Sequence, residues 1–231
     1  MIHTKSPPES LEQCYDRYAS EYCESLPLEH FMESTAQAEQ RKITVESLDL
    51  VKLARPDVHV FSELLVQYPL LRKRRPGQVV PDNMIVVHDG KVTAKGSYNV
   101  PLQPAGPFWV LEYISKSNKR KDNIENMRRY EKDLKVPYYL MFDHDEQELS
   151  LYRHNGKKYV AVKPNEHGRL AVQELELEVA IHDSWVRFWH RGELLPLPAD
   201  LKHKVDSLRD ENARLRKQLA EALAKKNGNH R

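Results

Sequence analysis

The sequence lacks any long apolar run. No stretch approaches the roughly 20 residues that cross a bilayer, and the opening MIHTKSPPESLEQC has no apolar segment typical of a secretory signal. We therefore expect a cytoplasmic protein without a membrane partner. An excess of one charge is also absent, since 36 Lys and Arg face 34 Asp and Glu. The net charge of +2 neither requires nor excludes a nucleic-acid partner.

Cysteine is scarce, with only Cys14 and Cys23 in 231 residues. On the helix predicted for their segment they point to opposite sides, about 13 Å apart along the axis, and cannot pair. Two thiols do not make a structural zinc site, and the 11 histidines form no HExxH motif or Cys/His array. A disulfide scaffold and a zinc centre of these types are excluded.

The spacing of apolar residues predicts two helices at the start of the chain. In residues 9–24, apolar and tyrosine side chains recur at intervals of three and four, which is the helical period. A second helix is predicted from about Ser34 to Leu53, ending before Pro56.

Strands dominate the middle of the chain. β-branched and aromatic runs predict strands at 58–68, 78–87 and 107–114. A helix is predicted from Ser117 to Leu134, and a fourth strand at 137–143. Three segments with alternating polarity are predicted as hairpin additions at the edge of the sheet, at 147–154, 157–164 and 170–179. This order predicts an α/β fold with a mixed sheet flanked by helices.

The last 30 or so residues have a different composition. Leu201, Leu208, Leu215 and Ala222 repeat every seven residues, as do Val205, Asn212 and Leu219, with no Gly or Pro between them. We predict a domain at 1–196 and a coiled-coil tail at 197–231 that forms a parallel homodimer. The alternative is a solvated terminal helix that folds back on the domain.

Three segments of the domain carry a resemblance, namely VVPDNMIVV, WVLEYISKS and KDNIENMRRYEKDLKVPYYLMFD. In this order they are similar to the Uma-type restriction endonuclease family, part of the PD-(D/E)XK nuclease superfamily. The matching residues are Pro81, Asp82, Glu112, Ser115, Ser117, Asp122, Tyr130, Val136, Pro137 and Tyr139. The resemblance covers residues 58 to 190 clearly, and implies a restriction-endonuclease-like fold that cleaves DNA with Mg²⁺ or Mn²⁺.

Such a site holds a metal ion against the phosphate with carboxylates where neighbouring strands diverge. Asp82 and Glu112 lie in adjacent predicted strands and could converge in this way. The resemblance implies that both bind the metal, with the backbone carbonyl of Tyr113 as third ligand. Without the resemblance, Asp82 reads as an ordinary turn residue and Glu112 as a strand glutamate paired with Lys or Arg.

The sequence departs from the family at the lysine that would stabilise charge on the phosphate. The residue two after Glu112 is Ile114, and the family's position on the following helix is Asn126. Lys116 and Arg129 are possible substitutes, Lys116 four residues beyond Glu112 and Arg129 three beyond Asn126. The departure predicts impaired catalysis unless one of these residues replaces the lysine.

The remaining matched residues have supporting roles by resemblance. Ser115, Ser117, Asp122 and Tyr130 flank the two carboxylates in sequence. Asp122 also reads simply as the N-cap of the third helix, with the serines in the same turn.

Two basic clusters flank the proposed site and predict contacts with DNA phosphates. The first is Arg72, Lys73, Arg74 and Arg75, and the second is Lys116, Lys119, Arg120 and Lys121. Such contacts give affinity that does not depend on base sequence. The alternative is that both clusters are solvated loops.

Three functions remain open at this point. The first is a Mg²⁺-dependent endodeoxyribonuclease, supported by Asp82, Glu112 and Asp122. The second is a catalytically impaired nuclease-fold scaffold that dimerises through its tail, supported by the missing lysine. The third is a hydrolase of small nucleotides.

Overall fold

The computed structural model describes residues 9–27, 34–114 and 121–228, without the side chains of 121–123 and 224–228. The chain divides into two compact units, Met1–Leu194 and Leu195–Arg231. The first unit combines helices with mixed sheets, which confirms the predicted α/β class. The second unit contains one long helix.

The two N-terminal helices are α1 (Leu11–Ser25) and α2 (Thr35–Ala54), and both predictions are confirmed. Each helix opens with a capping box, formed by Ser10 with Gln13 and by Ser34 with Gln37. The reciprocal hydrogen bonds satisfy N–H groups that the first helical turn leaves unpaired. Cys14 and Cys23, both on α1, are free thiols.

The strands of the described residues are β1 (Val58–Ser62), β2 (Leu65–Tyr68), β3 (Gly77–Val79), β4 (Asn83–Val87), β5 (Ser97–Asn99), β6 (Trp109–Ile114), β7 (Tyr138–Asp143), β8 (Glu148–His154), β9 (Tyr159–Ala161), β10 (Leu170–Val172), β11 (Leu177–His182), β12 (Trp185–His190) and β13 (Glu193–Leu194). The main sheet has six strands in the order β1-β4-β6-β7-β8-β9. Its central pair, β6 and β7, is parallel, and its other neighbours are antiparallel.

The parallel pair needs a crossover connection, which contains a helix. Helix α3 spans Lys121–Arg128 and continues as a π-helical segment at Arg129–Leu134. Lys135, with φ of 51°, ends this segment in the left-handed region before β7 begins. The π-helical segment was not predicted.

The core lies around the centre of the main sheet. Trp109, Val110 and Leu111 of β6 and Leu140 of β7 have no exposed surface. These strands are nearly continuous apolar runs because helices or other strands cover both faces.

Two of the predicted strands are each divided in two. The run 58–68 separates into β1 and β2, which belong to different sheets, because Glu63 between them has a left-handed φ of 48°. The run 78–87 separates into β3 and β4 around Pro81, which has no N–H to donate to a ladder. Both breaks fall at the same end of the main sheet.

The C-terminal part of the domain differs from the prediction. The segments 147–154 and 157–164 contain β8 and β9, which do extend the edge of the main sheet. The segment 170–179 does not, because β10 and β11 pair with β12 and β13 in a separate four-stranded sheet. Strand β12 was missed although Trp185–His190 is rich in aromatic residues.

The tail helix α4 runs from Pro198 to Gly228 without a break. Its heptad residues are exposed, from 38% at Leu201 to 61% at Leu219. None of the described helices is long and apolar enough to cross a membrane.

Candidate active site

Asp82 lies at the end of the main sheet where β4 begins. The pairing of β4 with β6 ends there at Asn83 and Leu111, whereas β6 continues to Ile114. Beyond that pair, the backbone N–H of Tyr113 donates to Oδ2 of Asp82 at 2.6 Å. The divergence of the two strands thus leaves room for a side chain between them.

Glu112 precedes Tyr113 on β6 and its side chain reaches the helical segment after α3. It is buried, with 8% exposure, and its Oε1 accepts a hydrogen bond from the hydroxyl of Tyr130 at 2.6 Å. Tyr130 lies in the π-helical segment, a feature that is frequent at functional sites. Its ring packs on Tyr139 of β7, with 5.2 Å between ring centroids. A buried tyrosine therefore fixes the orientation of Glu112.

The carboxyl groups of Asp82 and Glu112 are adjacent. Burial, followed by the negative charge of Asp82, raises the pKa of Glu112 well above its ordinary value. Side-chain hydrogen bonding with Asp82 raises the pKa of Glu112 further, whereas hydrogen bonding with the Asp82 backbone lowers it. The hydrogen bond from Tyr130 also lowers this pKa because it stabilises the charged form. The structure thus brings together the two carboxylates that the sequence singled out.

This pair suits a hard divalent cation. Two like charges in a buried place repel one another, and a cation between them relieves the repulsion. Mg²⁺ is usually held by one or two carboxylates, with waters completing about six oxygen ligands. Over the described ranges, no three His, Cys, Asp or Glu side chains cluster as a metal cage would require. The two carboxylates would suit Mg²⁺ or Mn²⁺.

Tyr113 is held on the opposite face of β6 by a polar network. Its hydroxyl donates to Oδ1 of Asn83 at 2.7 Å and lies 2.6 Å from Oγ1 of Thr44 on α2. Asn83 in turn donates to Oγ of Ser62 at 2.7 Å. Sequence analysis missed this network, although Asn83 is a polar residue directly before an apolar run. The role of the Tyr113 carbonyl as a metal ligand stays a prediction.

The two lysine positions of the family hold residues without charge. Ile114 ends β6 and is partly buried. Asn126 is partly buried on α3, one turn before Tyr130, so both lie on a similar helical face. A lysine at position 126 would therefore stand near the tyrosine that binds Glu112.

Arg129, the proposed substitute on that helix, has partners of its own. Its Nε donates to Oε1 of Glu125 at 3.3 Å, and another guanidinium nitrogen donates to the carbonyl oxygen of Gln78 at 3.2 Å. These contacts direct Arg129 towards β3. The hydrogen bonds do not place its charge at the carboxyl pair.

Part of the predicted site lies outside the described residues, namely Ser115, Lys116, Ser117, Lys119 and Arg120. Lys121 and Asp122 fall in the first turn of α3, and their side chains are not described. Because Lys121 and Asp122 are both helical, Asp122 lies inside the helix and is not the expected N-cap. The roles of all seven residues in the proposed site stay predictions.

The basic run Arg72–Arg75 lies between β2 and β3. Arg75 forms an ion pair with Glu21 of α1, and its guanidinium lies 5.3 Å from the ring centroid of Tyr18. Lys73 lines a cleft of about 300 Å³. Arg75 is thus partly engaged within the domain, whereas Arg72 and Arg74 are exposed.

A mixed sheet with this carboxyl pair at a strand divergence has the restriction-endonuclease-like nuclease fold. The structure is similar to a crystal structure described as "a putative nuclease belonging to DUF820" from Anabaena variabilis, with a TM-score of 0.50. The likeness covers 67% of this chain and 82% of that chain at 17% identity, so it shows the fold alone.

The family model Uma2, described as "Putative restriction endonuclease", matches residues 11–184. The chain therefore belongs to the Uma2 family, and the resemblance seen in the sequence is confirmed. No curated protein matches the chain.

Proposed function

We propose that the protein is a metal-dependent endonuclease that hydrolyses phosphodiester bonds of DNA, with Asp82 and Glu112 holding Mg²⁺ or Mn²⁺. The observation that carries this proposal is the placement of Asp82 beside Glu112 where β4 and β6 diverge, since the N–H of Tyr113, the residue after Glu112, donates to the Asp82 carboxylate at 2.6 Å. Membership of the Uma2 family supports the reaction class and DNA as the substrate.

The chain's own residues would preorganise this pair. The N–H of Tyr113 holds Asp82, and the hydroxyl of Tyr130 holds Glu112. Both donors are fixed by the fold, so little reorganisation is needed when a cation and a phosphate arrive. A bound cation polarises the phosphate and makes an attacking water more acidic. Asp82 and Glu112 would hold the cation, with the Tyr113 carbonyl as the further ligand.

Cleavage of plasmid DNA by the purified protein tests the proposal. We expect nicking or linearisation with Mg²⁺ or Mn²⁺ and none in excess chelator. Asp82→Ala and Glu112→Ala should each abolish it, because one carboxylate alone leaves the cation poorly held.

Glu174→Gln is the matched control for the glutamate. Glu174 also accepts a tyrosine hydroxyl at 2.6 Å, from Tyr138, but it lies away from the proposed site. We expect this variant to cleave like the wild type. Cleavage that survives Asp82→Ala or Glu112→Ala, or that continues in chelator, would contradict the mechanism.

A second candidate is a nuclease-fold scaffold with impaired catalysis. The observation that favours it is the uncharged pair Ile114 and Asn126 at the two lysine positions. Loss of a positioned charge-stabilising group lowers a rate by about 10²- to 10⁴-fold.

Asn126→Lys distinguishes the two candidates. If the missing charge limits the enzyme, the cleavage rate should rise by at least about 10²-fold, the lower end of that range. Ile124→Lys is the control, because it adds the same charge at a position of α3 that is 64% exposed. An equal gain in both variants would indicate general attraction to DNA instead.

We also propose that α4 forms a parallel two-stranded coiled coil, which makes the protein a homodimer. The exposed seam of Leu201, Val205, Leu208, Leu215 and Leu219 supplies the apolar surface. Asn212 would pair with its copy and fix the register; in the single helix its amide donates to the carbonyl oxygen of Leu208 at 2.9 Å.

The charges beside the seam give this dimer little help. In a parallel pair Glu211 meets Arg216 of the second copy favourably, whereas Lys204 meets Arg209 with like charge. Since three heptads are close to the minimum for a stable coiled coil, we expect a weak dimer.

Sedimentation of the full chain and of a chain that ends at Pro198 tests the assembly. The full chain should dimerise at tens of micromolar and the shortened chain should be monomeric. If both are monomers, or both the same dimer, the tail does not drive association.

A further inference from the structure

Arg41 of α2 lies at the same end of the main sheet as Asp82 and Glu112. We propose that Arg41 contacts the DNA phosphate at this site and supplies the positive charge that the family takes from a lysine. The inference rests on the proposed nuclease function. It names a residue that lies outside the family motifs.

The first link from Arg41 to the site is Glu63. Arg41 forms an ion pair with Glu63, the residue directly after β1. The N–H of Glu63 donates to the carbonyl oxygen of Asp82 at 3.1 Å. The Arg41 guanidinium is therefore held by Glu63, whose backbone is hydrogen-bonded to that of Asp82.

The backbone at Glu63 has an uncommon conformation. Its φ of 48° lies in the left-handed region, which residues other than glycine seldom adopt. Such conformations persist where the surroundings hold them and are frequent at functional sites. Here it turns the chain out of β1 next to Asp82, at the residue that binds Arg41.

The second link from Arg41 to the site is Thr44. Thr44 lies three residues after Arg41 on α2, and its Oγ1 is 2.6 Å from the hydroxyl of Tyr113. The N–H of the same Tyr113 binds Asp82. Two independent contacts thus fix α2, and Arg41 with it, at the carboxyl end of β6.

The guanidinium has the chemistry that a phosphate site needs. It carries a positive charge and can bind two phosphate oxygens at once. The Arg41 side chain is 28% exposed, so a ligand can reach it while Glu63 holds it. Arg129, by contrast, is bonded to Gln78 and Glu125.

Arg55 provides a matched control at the other end of the same helix. It caps α2, forms an ion pair with Asp57 directly before β1, and is 22% exposed. It shares with Arg41 the helix, the carboxylate partner and the partial burial. It differs in lying at the opposite end of β1 from Asp82.

The test compares Arg41→Gln, Arg41→Lys and Arg55→Gln in duplex DNA binding with Ca²⁺ in place of Mg²⁺, and in cleavage with Mn²⁺. For Arg41→Gln, the slope of log affinity against log salt should fall in magnitude by about 1, as for one lost phosphate contact. Its cleavage rate should fall by about 10²- to 10³-fold. Arg41→Lys should keep the slope and part of the rate, and Arg55→Gln should match the wild type.

Glu63→Gln separates a phosphate contact from a structural ion pair. If Arg41 only holds Glu63, removing either partner should lower binding and cleavage equally, which would overturn the inference. We expect Glu63→Gln to lose at least about tenfold less rate than Arg41→Gln, since the guanidinium remains. Urea denaturation of each variant shows whether the fold is retained.

The other outcomes assign a failure to one proposal or the other. If the wild type binds and cleaves DNA and folded Arg41→Gln keeps its slope and rate, the inference is wrong and the nuclease function stands. If the wild type neither binds nor cleaves DNA, the nuclease function is wrong and the inference fails with it. If adding Asn126→Lys to Arg41→Gln restores the cleavage rate, this supports the interpretation that Arg41 supplies the same positive charge as a lysine at position 126.

Discussion

The main sheet and the tail helix use apolar residues in opposite ways. Trp109, Val110 and Leu111 of β6 have no exposed surface, whereas Leu215 and Leu219 of α4 are 53% and 61% exposed. The strand residues are covered by the domain's own elements. In the proposed dimer the heptad residues would gain burial by association. Hydrophobicity alone therefore does not show whether an apolar residue is buried within the domain, whereas the period of the pattern separates the strands from the helix.

The largest expected effect is on domain stability, and it is tested with one substitution in the main sheet and one in the tail helix. Leu111→Ala should lower the free energy of unfolding of the domain by about 2–5 kcal/mol, because it leaves a cavity in a packed core. Leu215→Ala should leave that energy within about 0.5 kcal/mol, as for an exposed residue, and weaken the dimer instead. Urea denaturation followed by tryptophan fluorescence measures the first quantity and sedimentation the second. Similar losses of domain stability in both variants would contradict the distinction.

A smaller effect on the free energy of unfolding is expected at Glu112, an ionisable residue in the core. The folded-state pKa of Glu112 is raised, so the native state keeps a proton that the unfolded chain releases above its ordinary pKa of 4.5. This group therefore lowers stability as the pH rises from 4.5 towards the raised value. Glu112→Gln removes the effect and should gain about 1–3 kcal/mol at pH 8, the desolvation cost of one buried polar group.

The pH dependence of that gain is its control. Without metal, the difference between Glu112→Gln and the wild type should shrink between pH 8 and pH 4, where the unfolded glutamate also binds its proton. Denaturation midpoints at these two pH values measure it. A gain that is independent of pH would mean that the ionisation of Glu112 is not its cause.

The smallest expected effect concerns the charges beside the tail seam. Lys204→Glu replaces a like-charge contact with Arg209 of the second copy by an opposite pair. The gain in dimer stability should be about 0.2–1 kcal/mol and should decrease at high salt. Sedimentation at low and high salt measures it, with the domain's denaturation midpoint as the control. No gain at low salt would argue against the parallel arrangement.

The carboxyl pair could be predicted from the sequence because its residues belong to an ordered set of motifs that resembles the family. Taken alone, Asp82 after a proline and Glu112 in an apolar run read as ordinary structural residues. Arg41 and Thr44 could not be predicted in this way. They come from a helix some forty residues earlier and reach the site only through the packing of α2 on the sheet.

The breaks in the predicted strands were harder to predict from the sequence than the carboxyl pair. Pro81 lacks an N–H and marked the second break, but Glu63 adopts its left-handed conformation because of contacts that the sequence does not display. The π-helical segment at Arg129–Leu134 likewise has no sequence pattern of its own. The strand Trp185–His190, by contrast, could have been predicted, because its aromatic and β-branched residues lie between Ser184 and Gly192.

Binding of Mn²⁺ to the apoprotein, measured by titration calorimetry, tests the central claim most directly. It does not depend on whether the enzyme turns over quickly. The account predicts one strong site per chain in the wild type, its loss in Asp82→Ala and in Glu112→Ala, and its retention in Glu174→Gln. Equal binding of Mn²⁺ by the wild type and Asp82→Ala would contradict the claim that this carboxyl pair is the metal site.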